Sequence, residues 1–463
     1  MEKRIRTFKE YKDEYLKSKH NPESFWEEKA HNFEWKKKWK NVLSWDFKKP
    51  EVKWFEEGKL NITENCLDRH VKSQAQKTAI TWISNNPNEK NKYLSYEDLH
   101  NKVCQFCNVL KANNIQKGDR VCIYMPMVPE LAIAILSCAR IGAIHSVVFA
   151  GFSEKSLADR INDAKCKILI TSDGSYRGNK VIPLKEIADV AMSSTPSIKS
   201  CIVLKRTGIN INMKTTRDKW WHDEIKNKSV KFKAEEMDSE DTLFILYTSG
   251  STGQPKGIQH STAGYMIYTE YTFRNIFQYS SNDVYWCTAD IGWITGHSYI
   301  IYGPLLCGAN TVMFEGIPSY PDYGRFWKII EENKINIFYT APTAIRSLAS
   351  HGEKFVKPYN LSSLKVLGTV GEPINEEAWN WYNKTIGKEN CPIVDTWWQT
   401  ETGGIMISNF AGVTPAKPTF ATLPVPGIFP CILDENGKEI KDHNKGGNLC
   451  IKFPWPSMAR SIH

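Results

Sequence analysis

Residues 247–257 read Tyr-Thr-Ser-Gly-Ser-Thr-Gly-Gln-Pro-Lys-Gly, and the rest of the chain is interpreted outward from this stretch. The apolar run 243–246 before it predicts a buried strand, and a helix-compatible segment follows at about 261–277. Glycines let a backbone curl around an anion, while hydroxyls and free N–H groups donate to its oxygens. The stretch therefore predicts a phosphate-binding loop, although it lacks the Walker A pattern. A flexible Ser/Gly surface loop is the alternative.

Length and composition indicate a large globular chain. Its 463 residues exceed one ordinary domain, so two or three substructures are expected. Hydrophobic residues make up 41% of the sequence, which is enough for large cores. The net charge of +9 suits a protein with polyanionic ligands. The twelve cysteines show neither a disulfide framework nor zinc spacing, which predicts reduced thiols in a reducing compartment.

The sequence predicts a cytoplasmic location, with the nucleus as a second compartment. The N-terminus lacks an apolar signal core, and the best membrane candidate, 131–148, is interrupted by Arg140 and His145. The densest basic run, 36–40, contains Trp39 and resembles the basic-aromatic patches that bind nucleic acid. A solvated helix face with an aromatic underside is the favoured interpretation. Neither a nucleic-acid nor a membrane partner is expected, and no oligomeric state is predicted.

From about residue 61 the sequence alternates between strand and helix patterns. Strands are predicted at 121–125, 144–149, 167–171, 335–340 and 364–370, and helices begin at Ser95, Pro129 and Ser153 or span 323–332 and 375–386. This alternation predicts an α/β fold of largely parallel sheets packed with helices. We expect a helical, aromatic N-terminal extension (1–60), paired α/β subdomains carrying the site (61–411) and a β-rich subdomain (412–463). A polar connector is expected at about 179–241.

Three polar motifs fall where predicted strands end. They are the loop at 247–257, the run Val370-Gly371-Glu372-Pro373 and the run Asp395-Thr-Trp-Trp-Gln-Thr-Glu-Thr-Gly-Gly404. Ligands of such sheets gather at the carboxyl ends of the strands. The third motif combines an aromatic wall with hydrogen-bonding groups and the carboxylate of Glu401. Because Mg²⁺ is often held by one or two carboxylates plus phosphate oxygens, Glu401 is a candidate magnesium ligand, with a surface glutamate as the alternative.

These motifs resemble a known family. The stretch 247–257 is similar to the Ser/Thr/Gly-rich signature of the acyl-adenylating superfamily. The runs 289–299, 370–373 and 395–404, with 54–55, 60–61 and 65–70, resemble the AMP-forming acetyl-CoA synthetase family over almost the whole chain. The resemblance implies the large N-terminal domain of the acyl-adenylating fold. It also implies a two-step reaction, in which acetate and ATP give enzyme-bound acetyl-adenylate and CoA then displaces AMP.

The resemblance assigns roles around the nucleotide. Phosphate-binding residues would be Thr248, Ser249, Ser251, Thr252 and Lys256. Residues around the adenylate would be Gly371, Glu372, Pro373, Asp395, Thr396, Trp397, Trp398 and Gln399. Thr400 would contact the α-phosphate and Glu401 would hold Mg²⁺, so that Thr400, Glu401 and Lys256 form the catalytic set.

The resemblance also implies the acyl and CoA sites. Acetate would lie among Ile294, Thr295, Val370 and Trp398, with Trp398 closing the pocket to longer acids. Ile294 replaces a more usual Val, which implies a slightly tighter pocket. CoA would contact Arg177, Gly178, Asn179, Lys180, Thr295 and Ser319, and Ser319 stands where the family commonly has Asn.

Two expectations qualify this assignment. The family continues beyond the position of His463 with a small C-terminal domain that carries the adenylation lysine, so we expect this chain to bind nucleotide but turn over poorly. The alternatives are a propionyl-CoA or other short-chain synthetase, and a non-catalytic module that binds nucleotide or CoA. One methylene in a hydrophobic pocket is worth only about 1–3 kcal/mol, so some use of propionate is expected.

Overall fold

Two eight-stranded sheets form the framework of the chain in a computed structural model that describes residues 4–249, 255–442 and 444–463. In spatial order, the strands of the first sheet are Asp218–Trp220, Ser200–Leu204, Ile168–Ser172, Arg120–Tyr124, Ile144–Val147, Thr242–Ser249, Pro255–Ser261 and Ser461–Ile462. Those of the second sheet are Ile407–Ser408, Ile393–Trp397, Val366–Thr369, Ile337–Thr340, Val284–Cys287, Asn310–Phe314, Thr78–Ile83 and Lys92–Ser95. The predicted α/β class is confirmed.

Most neighbouring strands in both sheets run parallel. In the first sheet, antiparallel pairing is confined to the edge that contains Pro255–Ser261 and Ser461–Ile462. In the second sheet, each edge strand is antiparallel to its neighbour. The parallel strand Ile168–Ser172 is buried along its whole length, as expected when helices cover both faces of a sheet.

Helices enclose and separate the two sheets. The α-helices are Phe8–His20, Pro22–Ala30, Arg69–Gln74, Tyr96–Ala112, Pro129–Ile141, Glu154–Ala164, Leu184–Met192, Trp221–Ile225, Ala263–Ile276, Ile294–Gly296, Gly303–Leu306, Arg325–Asn333, Pro342–Ser350 and Glu376–Trp381. Short 3₁₀ or π-helical turns are Glu64–Asp68, His297–Tyr302, Glu353–Phe355, Tyr382–Ile386 and Thr400–Thr402. Within the described ranges, no helix is long and apolar enough to cross a membrane.

Strand periodicity divides the side chains into layers. In Arg120–Tyr124, Val121 and Ile123 join the central core between the sheets, whereas Cys122 and Tyr124 join a separate core under Glu154–Ala164 and Leu184–Met192. A third core lies on the far face of the second sheet, under Arg325–Asn333 and the helices that follow it. The architecture is therefore a five-layer arrangement of helices, sheet, helices, sheet and helices.

Four two-stranded pairs complete the structure. They are Asn41–Asp46 with Glu51–Glu56, Ser175–Arg177 with Lys180–Ile182, Lys59–Leu60 with Met237–Asp238, and Pro430–Leu433 with Asn448–Ile451. The last pair matches the short strands expected near the C-terminus. The N-terminal part contacts this region, because the Tyr11 hydroxyl donates to the Pro424 carbonyl at 2.7 Å. The boundaries at 60/61 and 411/412 remain predictions.

Several local predictions are confirmed at the level of single residues. Ser95 begins Tyr96–Ala112 with a reciprocal capping box, in which the Asp98 amide donates to the Ser95 hydroxyl at 3.0 Å and the Ser95 amide donates to the Asp98 carboxylate at 3.0 Å. Helices also begin at Pro129 and directly after Ser153. Each start is encoded within one helical turn of sequence, which explains why the sequence alone predicts it.

Two local predictions are wrong. The expected connector at 179–241 contains the helix Leu184–Met192 and two strands of the first sheet, Ser200–Leu204 and Asp218–Trp220. These strands are short, and pairing with Ile168–Ser172 stabilises the first of them. The basic run 36–40 is not helical, because Lys37 forms a backbone bridge with Lys59. Its expected aromatic underside is present, since Trp35 and Trp39 lie 4.8 Å apart.

Candidate active site

The predicted phosphate-binding stretch begins and ends in two paired antiparallel strands, which together are called the hairpin below. Thr242–Ser249 pairs with Pro255–Ser261, and Thr248 lies opposite Lys256. The helix expected after the loop is Ala263–Ile276, and it follows a strand that the sequence analysis did not predict. Ser251 and Thr252 lie outside the described residues. Thr248 and Lys256, both half-buried, stand on the two sides of the turn.

A 3₁₀ turn at Thr400–Thr402 is fastened to this hairpin. The His260 Nε2 donates to the Thr400 carbonyl at 2.8 Å, and the Ala459 amide donates to the Glu401 carbonyl at 2.9 Å. Burial lowers the pKa of His260 to about 3, which keeps its ring neutral with the proton on the donating nitrogen. The Glu401 carboxylate is exposed and forms no ion pair or hydrogen bond within the described ranges. It is therefore available to an incoming cation.

A cavity of about 340 Å³ lies at the carboxyl ends of the second sheet's parallel strands. Its lining residues are Gly371, Glu372, Pro373, Asp395, Thr396, Trp397, Trp398, Gln399, Thr419 and Ala421. The structure thus brings together both segments that the sequence analysis assigned to the adenylate. Thr419 and Ala421 were missed, because they belong to a Pro-rich segment that matches no motif. A left-handed backbone at Thr419 (φ 72°) marks the bend that carries this segment past the cavity.

Hydrogen bonds between adjacent strands position these side chains. Thr369 and Asp395 are partners in the ladder, and the Thr369 hydroxyl donates to the Asp395 carboxylate at 2.8 Å. Burial raises the pKa of Asp395, and this hydrogen bond partly offsets the effect. On the opposite wall, the Glu372 carboxylate accepts from the Thr343 amide at 2.7 Å and from Arg346 at 2.9 Å. The walls of the cavity are therefore fixed before any ligand binds.

Three of the four residues predicted for the acyl pocket belong to or pack against one apolar cluster. Ile294 and Val370 are buried members of the central core, and Trp398 packs against that core. The Trp398 ring meets Tyr299 edge-to-face at 5.0 Å. The Tyr299 hydroxyl accepts from the Ile405 amide at 2.8 Å, which fixes the ring that supports Trp398. Thr295 follows Ile294 in a short helix and is half-buried.

A second cavity, of about 260 Å³, contains the predicted CoA contact Arg177. Arg177 is exposed at the end of Ser175–Arg177, and the turn through Gly178 and Asn179 leads to Lys180. Gly178 takes a left-handed backbone (φ 62°), and the Asn85 amide donates to its carbonyl at 2.7 Å. The turn is therefore held in place from beneath.

The other residues predicted to contact CoA lie only partly around this cavity. Pro318 lines it and Ser319 is the next residue, whereas Thr295 is not part of its wall within the described ranges. Asp290, which the sequence analysis left without a role, does line it, and burial raises the pKa of its carboxyl to about 6. The position of Asp290 within the run 289–299, which carries part of the family resemblance, was the signal that could have identified it.

Comparison with known proteins agrees with this geometry. A family model described as the acetyl-coenzyme A synthetase N-terminus matches residues 11–66, and one described as AMP-binding enzyme matches residues 67–461. The acetyl-coenzyme A synthetase of Leptospira biflexa is 55% identical over 464 residues, covering 99% of this chain and 71% of the relative. Those of Magnetococcus marinus and Desulfatibacillum aliphaticivorans are 50% and 52% identical, each covering 98% of this chain and 70% of the relative.

The two matched regions together include every residue of the hairpin, the Thr400–Thr402 turn and both cavities. The AMP-binding match alone spans well over half of the chain. The chain therefore belongs to the AMP-binding enzyme family, and within it to the acetyl-coenzyme A synthetases.

Proposed function

We propose that this protein is an AMP-forming acetate–CoA ligase, which converts ATP, acetate and CoA into acetyl-CoA, AMP and diphosphate. The observation that carries the proposal is the cavity at the strand ends, where the wall formed by 371–373 faces the wall formed by 395–399. Trp398 belongs both to this cavity and to the cluster around Ile294 and Val370. A carboxylate bound against Trp398 would thus meet the α-phosphate of a nucleotide in the same space.

The first step requires positioning and charge neutralisation rather than a protein nucleophile. An acetate oxygen attacks the α-phosphorus, the bond to the β-phosphate oxygen breaks, and diphosphate leaves. Thr248 and Lys256, on the two sides of the hairpin turn, would bind the β- and γ-phosphates together with Ser249, Ser251 and Thr252. Thr400, held by His260, would donate to the α-phosphate. These roles stand on the placement of the hairpin beside the Thr400–Thr402 turn.

The residues present fit a magnesium ion that arrives with ATP. Within the described ranges no cluster of three or more His, Cys, Asp or Glu side chains could hold a metal by itself. Glu401 offers one exposed, unpaired carboxylate, which suits an ion whose other ligands are phosphate oxygens and water. When bound, Mg²⁺ would neutralise charge that develops on the phosphates. Glu401 would fix the orientation of the triphosphate relative to Thr400.

In the second step the CoA thiol attacks the acetyl carbonyl and AMP leaves. Arg177 and Lys180 would meet the phosphates at the nucleotide end of CoA, and Asn179 would add a polar contact. The acyl pocket favours acetate because Trp398 limits its depth, with propionate as a weaker substrate. We place the activity in the cytoplasm or nucleus, because the twelve cysteines are free thiols and ten of them are buried.

Acetate-dependent exchange of diphosphate into ATP tests the first step, and acetyl-CoA formation tests the second. Because poor turnover is expected, we expect exchange to be slow and to require both acetate and Mg²⁺. Glu401→Gln should raise the Mg²⁺ concentration needed for half-maximal exchange by about tenfold, because a hydrogen bond or contact to a charged group contributes about 1.5–3 kcal/mol. Glu377→Gln, at an exposed glutamate outside the cavities, is the matched control. Exchange that prefers propionate, or that is unchanged in Glu401→Gln, would contradict the assignment.

A further inference from the structure

A third cavity, of about 660 Å³, has a strongly cationic wall. It shares no lining residue, among those described, with the nucleotide cavity or the cavity beside Arg177. Its cations come from separate parts of the chain. They are Arg4 and Arg6 near the N-terminus, Arg69 at the start of Arg69–Gln74, Lys77 just after that helix, and Arg274 in the last turn of Ala263–Ile276. Glu270 is the acidic residue in this wall, and it pairs with Arg274.

Three of these cations use neutral acceptors instead of carboxylates. Arg4 donates to the Tyr279 carbonyl and the Ser280 hydroxyl, both at 2.9 Å. Lys77 donates to the Ser281 carbonyl at 2.5 Å and the Gly308 carbonyl at 2.6 Å.

Arg69 completes this arrangement. It donates to the Leu306 carbonyl and to the Asn32 carbonyl, the latter at 3.3 Å. In the described part of the chain, none of Arg4, Arg69 and Lys77 forms a salt bridge. Neutral acceptors thus fix their positions. The carboxylate that acts on both Arg4 and Lys77 is Asp283, which already pairs with Lys365.

The surroundings strengthen this positive potential. Lys77 and Arg4 are partly buried, and this burial lowers the pKa of both groups. Burial, with a further contribution from Arg69, lowers the pKa of His70 to about 3, so this ring stays neutral. Phe33 lies 5.3 Å beneath the Arg69 guanidinium and limits its movement. Partly desolvated cations that form no direct ion pair favour an incoming anion.

We propose that this cavity binds a small anion with two or more phosphate groups. Guanidinium groups match phosphate oxygens in a bidentate fashion, and an ammonium adds a compact charge. The volume falls within the usual range for small-molecule sites and exceeds what a single inorganic phosphate would fill. Arg4 and Lys77 are held by acceptors that lie more than two hundred positions away in the sequence, so the site exists only in the folded chain. It is a second anion site, distinct from the one proposed for ATP.

Titration calorimetry with sodium tripolyphosphate tests this proposal on the intact protein. We expect two classes of binding site, one at the hairpin turn and one in this cavity. The double change Arg69→Gln with Lys77→Gln should weaken the second class by at least about tenfold, since each removed charge-assisted hydrogen bond contributes about a factor of ten or more. Lys256→Gln should weaken only the first class. Lys72→Gln, on the same helix as Arg69 but paired with Glu34 at the surface, is the matched control.

A second variant guards against misfolding. Arg6→Gln changes an exposed side chain of the cavity wall, so the protein should retain its thermal midpoint while the second class weakens several-fold. If the unchanged protein binds only one tripolyphosphate, and Lys256→Gln abolishes that binding, the proposal is overturned. Citrate binding as tightly as tripolyphosphate at the second class would overturn the assignment to phosphates. If Lys72→Gln and the double variant bind tripolyphosphate equally well at the second class of site, this site does not lie in the cavity.

Discussion

Replacing Trp398 with Gly should change which acyl chains the protein accepts. The ring packs edge-to-face on Tyr299 and lies against the cluster that contains Ile294 and Val370. A buried Trp covers about 150–250 Å². Trp398 is only half-buried, so we use the lower limit of this range for the area that its removal frees. That area equals the buried area of roughly four to five methylene groups, each of which contributes about 0.8 kcal/mol. The variant should therefore accommodate about four additional methylenes.

The expected magnitude follows from the same figures. About 0.8 kcal/mol for each methylene corresponds to roughly fourfold in affinity. Across four methylenes, the affinity of the variant should thus rise by about two orders of magnitude. In the unchanged protein, affinity should instead fall with chain length, because Trp398 occupies the space. The loss of the contact with Tyr299 should also cost about 0.5–1.5 kcal/mol of stability beyond the lost burial.

Calorimetry with alkyl esters of AMP, from ethyl to hexyl, measures this selectivity without requiring turnover. Trp397→Ala is the matched control, since Trp397 lines the same cavity and is proposed to contact the nucleotide. That control should weaken all esters by a similar factor and leave the order of chain lengths unchanged. The same chain-length order in Trp398→Gly and the unchanged protein, with both proteins folded, would refute the assignment of Trp398 as the end of the acyl pocket.

Three further predictions concern other parts of the molecule. Lys256→Ala should weaken the binding of ATP about tenfold and leave the binding of AMP unchanged, because Lys256 would contact only the β- and γ-phosphates. Arg177→Gln should weaken the binding of CoA about tenfold in calorimetry, and the affinity of the variant for CoA should depend less on salt concentration. The stability of the protein should fall as pH drops from 7 to 5, because burial holds the pKa of His260 near 3 while the unfolded chain binds protons below pH 6.5.

The acid prediction has a defined sign and size. The pKa of His260 is lower in the folded chain than in the unfolded chain, so its neutral ring contributes to the free energy of unfolding above pH 6.5. This contribution is lost as the pH falls from 6.5 towards 3. At pH 5 the loss is about 2 kcal/mol. Urea unfolding of His260→Gln should show a pH dependence smaller by that amount. His222→Gln, at an exposed ring, should leave it unchanged. An equal pH dependence in both variants would contradict the argument.

Controls for the two binding predictions use surface cations. Lys226→Ala should leave ATP binding unchanged, and Lys199→Gln should do the same for CoA, since neither side chain lines the cavities described. Equal loss of AMP and ATP in Lys256→Ala would show that Lys256 acts on the fold of the hairpin and not on the outer phosphates.

Much of the site could be predicted from sequence because its motifs lie where parallel strands end. Thr369 and Asp395 are adjacent in the ladder, so motifs at 370–373 and 395–399 must meet at one edge of the sheet. The helix start at Ser95 could be predicted equally well from the sequence, because a capping box is complete within four residues. In contrast, the strand Pro255–Ser261 carries polar residues and gains its stability from pairing with Thr242–Ser249, which no local pattern reveals.

The sequence alone determined the α/β class, the positions of several central strands and helices, and the segments that form most of the nucleotide cavity. Each of these depends on short-range periodicity or on the fixed direction of parallel strands. Only the tertiary structure decided that the two ends of the phosphate-binding stretch pair as antiparallel strands, that Thr419 and Ala421 line the nucleotide cavity, and that Asp290 and Arg177 line the same cavity. It alone also brought Arg4, Arg69 and Lys77 into one wall. Contacts between residues hundreds of positions apart arise from the packing of whole layers, and no local sequence pattern encodes them.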